Sequence, residues 1–189
     1  MLQTILIINI LSLVYYKGAK GYIFLQEYKV VFVMIEFRDV TMENFEEVIN
    51  LKLKDDQVGF LENNLYSLAE AKVNSDLIPK GVYEDDKLVG FILYYFHEGE
   101  PDYVYLKRLM IDEKLQGKGI GRKTMKAAID LFKKDFPSIG CVELMHYLDN
   151  ETGESLYESL GFKSTGEIRE TIRPGTDYID KELVRRYFY

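Results

Sequence analysis

The sequence predicts a mixed α/β fold in a single domain, and three observations predict it. Short apolar runs mark strands, apolar residues at helical spacing mark helices, and the two kinds of segment interleave along the chain. The 189 residues suffice for one sizeable core and are too few for two comfortable ones. The order reads strand, two helices, three strands, helix, strand, helix and a closing hairpin.

Each element has its own signal. Ile35-Glu36-Phe37-Arg38-Asp39-Val40 alternates as a first strand. Thr41 is a suitable N-cap for a helix carrying Phe45, Val48, Ile49 and Leu53 on one face. After the polar break Asp55-Asp56-Gln57, a second helix places Leu61, Leu65, Leu68 and Ala69 on one face. Residues 81–83 and 88–96 read as strands joined by the turn Glu84-Asp85-Asp86-Lys87. A further strand spans 103–111. Met125, Ala128, Ile129, Phe132 and Phe136 then form a helical stripe with lysines opposite. Residues 142–147 read as a strand. Asn150 caps a short helix that ends at Gly161, and 162–189 form a hairpin around Arg173-Pro174-Gly175-Thr176.

The first 33 residues differ from the rest. Met1 to Tyr16 is apolar and uncharged, yet shorter than the roughly 20 residues a membrane span needs. It lacks the basic start and the clear cleavage site of a signal peptide. The segment reads best as an apolar extension upstream of a true start at Met34, leaving 34–189 as the domain; a membrane anchor is the competing reading. Without Lys17, Lys20, Lys29 and Glu27, 21 basic residues face 30 acidic ones, a net charge of −9. Such a balance argues against a nucleic-acid partner and suits a cationic small molecule. One cysteine, Cys141, fits a reducing compartment, so a cytoplasmic location is expected. With only His97 and His146 beside it, no structural zinc site can be assembled, and no metal is expected.

Gly117, Gly119 and Gly121 stand between a strand and a long helix, with Lys118, Arg122 and Lys123 beside them. Glycine permits close backbone approach, and the free amides and dipole at a helix start attract phosphate. The spacing fails the Walker pattern, which needs Gly-Lys-Ser/Thr after four residues. It also fails the dinucleotide fingerprint, which needs glycine where Arg122 stands.

What the turn resembles is the acetyl-CoA-binding motif of the GNAT superfamily of N-acetyltransferases. That pattern is Gln or Arg, two residues, glycine, one residue, then glycine or alanine; Gln116, Gly119 and Gly121 match it in register. Leu109-Met110-Ile111-Asp112 resembles the strand end that carries the pantetheine arm. Asn150 followed by Leu156-Tyr157-Glu158-Ser159-Leu160-Gly161-Phe162 resembles the second signature of the family. The resemblance covers 34–189. It implies a central, mostly antiparallel twisted sheet of about seven strands flanked by about four helices, with acetyl-CoA as co-substrate. It places Leu109, Met110, Ile111, Gln116, Gly117, Lys118, Gly119, Ile120, Gly121, Arg122, Asn150 and Tyr157 against CoA. It further implies that the strand ending at Met110-Ile111 is splayed from the next one, with a main-chain amide near Met110 facing the thioester carbonyl.

Acetyl transfer to an amine needs a proton for the departing thiolate and a base for the incoming ammonium. Tyr157 is the acid that the resemblance implies, a phenol being protonated at neutral pH; its bland reading is a core aromatic. The base is open. No carboxylate lies on 103–110, where Lys107 and Arg108 occupy polar positions, so a water relay to Glu62, Glu84 or the loop of Glu98, Glu100 and Asp102 is expected. Residues 57–64 and 67–71 resemble the substrate-side helix of the diamine and polyamine branch, which favours spermidine or spermine as acceptor. The alternatives are a protein or peptide amine, an amino acid, an aminoglycoside, or a non-catalytic acyl-CoA sensor. Tyr178, Tyr187 and Tyr189 in the tail suggest a covered cleft. The resemblance also admits a homodimer, dimers being frequent in the family.

Overall fold

The computed structural model describes residues 9–11, 27–29, 34–99, 102–172, 177 and 179–189. The chain divides into two units, Met1–Met34 and Ile35–Tyr189. In the first, β1 (Asn9–Leu11) pairs antiparallel with β2 (Glu27–Lys29), Ile10 lying opposite Tyr28. Most of the apolar run considered as a signal or anchor lies outside the described residues. Among the described residues, no helix is long and apolar enough to cross a membrane.

The second unit runs β3 (Ile35–Asp39), α1 (Phe45–Ile49), α2 (Asn64–Val73), β4 (Ile78–Glu84), β5 (Lys87–His97), β6 (Tyr103–Ile111), α3 (Ile120–Asp135), β7 (Cys141–Tyr147), α4 (Glu151–Ser159), β8 (Lys163–Ile172) and β9 (Ile179–Phe188). The strands form one seven-stranded sheet in the order β3-β4-β5-β6-β7-β9-β8. Every neighbouring pair is antiparallel except β6 and β7, which are parallel and joined by the crossover helix α3. A mostly antiparallel α/β sheet with four α-helices is the expected architecture.

The sheet buries both faces. On one, Met125, Ala128 and Phe132 of α3 pack against Ile92, Val104 and Leu144, all almost wholly buried. On the other, Val48 of α1 packs against Phe91, Leu93 and Met110. Burying each such side chain contributes about 1.5–3 kcal/mol. This two-faced burial is why the central strands read as near-continuous apolar runs.

Three local expectations change. Thr41 opens a turn rather than the helix: its carbonyl accepts from the Asn44 and Phe45 amides, and regular helix begins only at Phe45 and stops at Ile49, short of Leu53. In α2 the buried face is Asn64, Ser67, Leu68 and Ala71, while Leu65 and Ala69 are exposed and Leu61 precedes the helix. The Asn64 amide reaches the Val48 carbonyl at 2.8 Å, so a polar anchor takes the place assigned to leucine. Finally, β4 begins at Ile78, three residues before the predicted strand. The β4–β5 turn is centred on Asp85 and Asp86, both with positive φ, as the tight hairpin requires. The tip expected at residues 173–176 lies outside the described residues.

Candidate active site

The site is created by a disagreement between neighbouring strands. β6 and β7 pair from Tyr103 opposite Cys141 as far as Leu106 opposite Leu144, and no further. Just beyond, Leu93 faces Arg108 while Tyr94 faces Leu106, so Lys107 is an extra, bulged residue on β6. A bulge bends its strand and raises the local twist. Residues 107–111 therefore stay with β5, residues 145–147 stay with β9, and a gap opens between them. Leu109 packs towards the α3 face and Met110 towards the α1 face.

The glycine-rich turn lies at the open end of this gap. Gly117 and Gly119 both have φ of +77°, and a Cβ at either would meet nothing within 4 Å. Gly119 is the N-cap of α3. Among the described residues, no main-chain amide from Gly117 to Arg122 donates to a protein acceptor. A row of unpaired amides beside open space at the start of a 16-residue helix is a fit for a diphosphate. Thr124 Oγ1, fully buried one turn into α3, has no partner.

The other residues assigned to CoA divide their work. The Gln116 side-chain amide donates to the Ile111 carbonyl at 2.9 Å and to Gln57 at 2.8 Å, fastening the turn to β6 and to the segment between α1 and α2. The Lys118 ammonium donates to the Lys114 carbonyl and Arg122 to the Ser159 carbonyl. Ile120 is buried in the core, and Gly121 lies close to Ile111 and Leu156. Asn150 caps α4, its side chain accepting from the Gly153 amide at 2.9 Å. A Cβ at Gly153 would press on that asparagine side chain.

Tyr157 projects from α4 between the rings of His146 (5.8 Å) and Phe162 (5.9 Å). Burial pushes its phenol up to about 12. The candidate bases are spread out. Glu62 is exposed, two residues after Phe60, whose ring lies 5.7 Å from that of Tyr147. Glu84 is paired with Lys123 at 2.8 Å, on the α3 side of the turn. Asp102 adjoins the start of β6 and Glu98 follows the end of β5, both at the closed end away from the gap, while Glu100 lies outside the described residues. Lys107 and Arg108 both reach Glu70, at 2.5 and 2.6 Å. Burial favours a neutral Glu70, but these two bonds outweigh it and hold the carboxyl below its usual value.

Two features were not anticipated. Glu182 of β9 lies opposite Tyr147, on the same face and beside the gap. Burial, and then Asp180, push its carboxyl up, with Lys107 opposing. Arg185, also on β9, is buried and bonded to His146, Glu154 and Glu158. Conversely, Tyr187 and Tyr189 do not close a cleft: Tyr187 packs on Phe162, and the Tyr189 hydroxyl donates to the Ile129 carbonyl of α3. Tyr178 lies outside the described residues. Cys141 is buried at the closed end, and burial raises its thiol.

Residues 36–162 match the model of the acetyltransferase (GNAT) family. The chain belongs to this family. It is 30% identical to the spermine/spermidine N(1)-acetyltransferase of Bacillus subtilis over 139 residues, which cover 71% of this chain and 91% of that enzyme. Among solved structures, it resembles a Vibrio cholerae spermidine N-acetyltransferase in complex with CoA and spermine. That match has TM-score 0.62 and 17% identity, covering 80% of this chain and 94% of that one. It resembles the Escherichia coli ribosomal-protein-S18-alanine N-acetyltransferase equally well in fold, with TM-score 0.60 and 18% identity over 81% and 92% of the two chains. At such identities the structural likenesses speak for the GNAT fold alone. This GNAT chain is thus an acetyltransferase.

Proposed function

We propose that this GNAT enzyme acetylates a primary amine of a small polycation of the spermidine/spermine class by direct attack on acetyl-CoA. The observation that carries the reading is the 30% identity to a spermine/spermidine N(1)-acetyltransferase across nearly its whole length. The acidic balance of the domain agrees with it, since carboxylates attract and orient ammonium groups.

In this reading the amides of residues 117–122 bind the diphosphate, Leu109, Met110 and Ile111 line the pantetheine path, and Asn150 adds a polar contact. Tyr157 protonates the departing thiolate. A phenol with a pKa near 12 keeps its proton at every working pH. The acceptor, with a pKa of about 10.4, must first lose a proton. Of the carboxylates, Glu182 is better placed for this than Glu62 or Glu84. It stands beside the gap, and its raised carboxyl is a stronger base than an ordinary glutamate. Glu62 is solvated, and Glu84 is engaged by Lys123.

The test is an acceptor screen that follows CoA release from acetyl-CoA with spermidine, spermine, putrescine, a lysine peptide and an aminoglycoside. Release with spermidine or spermine, and none with the peptide, is the expected outcome. Turnover of the peptide alone contradicts the reading, and tight CoA binding without release for any amine makes the chain a sensor.

A further inference from the structure

We infer that Arg185 and His146 are positioning residues that set the acid Tyr157 at the mouth of the gap. The inference rests on the role proposed for Tyr157 and concerns how that residue is held.

Arg185 of β9 is 2% exposed and bonds to two other elements at once. Its Nε donates to His146 Nε2 on β7 at 2.8 Å. Its Nη2 donates to Glu154 at 2.6 Å and to Glu158 at 3.1 Å, both on α4. These glutamates stand three residues before and one residue after Tyr157, so one guanidinium grips α4 on both sides of the phenol. The arrangement also fixes the imidazole. An arginine Nε always carries its proton, so His146 Nε2 accepts, and Nδ1–H donates to the Tyr147 carbonyl at 2.9 Å. His146 is therefore neutral, and burial, with Arg185 adding to it, lowers its pKa against the opposing Tyr147 carbonyl, Glu154 and Glu158.

The location gives the cluster its meaning. His146 lies beyond Leu144, the last β7 residue that pairs with β6. Where β7 gives up its neighbour to open the gap, the cluster ties the freed strand end to β9 and α4. The His146 ring then forms one wall of the Tyr157 site and Phe162 the other. A fixed ring, packed on both sides, holds the phenol at one depth. A small displacement of a reacting group costs on the order of 10- to 100-fold in rate.

The test is a double-mutant cycle on the full chain, with Arg185→Lys, Tyr157→Phe and the pair. Lysine keeps the charge but cannot donate to His146 and both glutamates in the same planar geometry. Arg185→Lys is expected to lower kcat by about 10-fold, with KM for acetyl-CoA and for the amine within about twofold. It is also expected to move the alkaline decline of kcat down from about 12 towards 10, as water reaches the phenol. In the Tyr157→Phe background it should have no further effect. Should Arg185→Lys not fold by circular dichroism, His146→Gln is read in the same way. An equal loss of kcat in both backgrounds overturns the positioning role while leaving Tyr157 as the acid. An unchanged kcat in Tyr157→Phe alone overturns the acid, and with it the positioning role.

Discussion

Gly119 shows how much chemistry a missing side chain can carry. Its φ of +77° is strained for any other residue, and the space beside it is open. Gly119→Ala is expected to cost about 1–2 kcal/mol of stability from the left-handed backbone, and to weaken CoA binding further because the methyl enters the phosphate space. Thermal unfolding and a CoA titration read the two effects separately. At Tyr157 the prediction concerns pH. In its proposed role as acid Tyr157 works only while protonated, so activity is lost as pH rises through its pKa; with that pKa raised to about 12, kcat should show no alkaline decline due to Tyr157 below pH 10. A decline centred near 10 that disappears in Tyr157→Phe would contradict this. The glycine turn before α3 and the Asn150 cap were legible in the sequence because the requirements they meet are local. Arg185 was not, since its partners lie 27 to 39 positions away and a lone arginine in a strand gives no sign of burial.

Element by element, the gap depends on how β6 leaves β7 while holding on to β5. Gly90 is central to that hold: it lies opposite Ile111, and a Cβ there would overlap the Met110 carbonyl oxygen and crowd the Ile111 side chain. Because the obstacle is main chain, relaxation must move β6, the strand proposed to line the pantetheine path. Gly90→Ala is expected to destabilise the protein by about 1–3 kcal/mol, lowering Tm by roughly 5–10 °C, and to raise KM for acetyl-CoA. A variant with native Tm and KM would show that β6 tolerates displacement. Strands and helices were readable from periodicity, but the bulge at Lys107 was not: one extra residue in a nine-residue run leaves the apolar pattern intact. The misassigned face of α2 has a different cause. Asn64 and Ser67 are buried there through hydrogen bonds to main-chain carbonyls, so the polar residues point inward and Leu65 points out.

At the scale of the molecule, the sheet brings together residues from opposite ends of the domain. β9, last in sequence, inserts between β7 and β8, and so carries Glu182 and Arg185 to the two faces of the strand that borders the gap. The sequence order of elements could announce the α/β class, but not which carboxylate this insertion would deliver. The central physical claim remains that exposed amides at the start of α3 hold the diphosphate of CoA beside that gap. Calorimetric titration of the purified chain with CoA tests it most directly. The account predicts saturable binding, weakened in Gly119→Ala; an absence of saturable binding to the folded protein would contradict it.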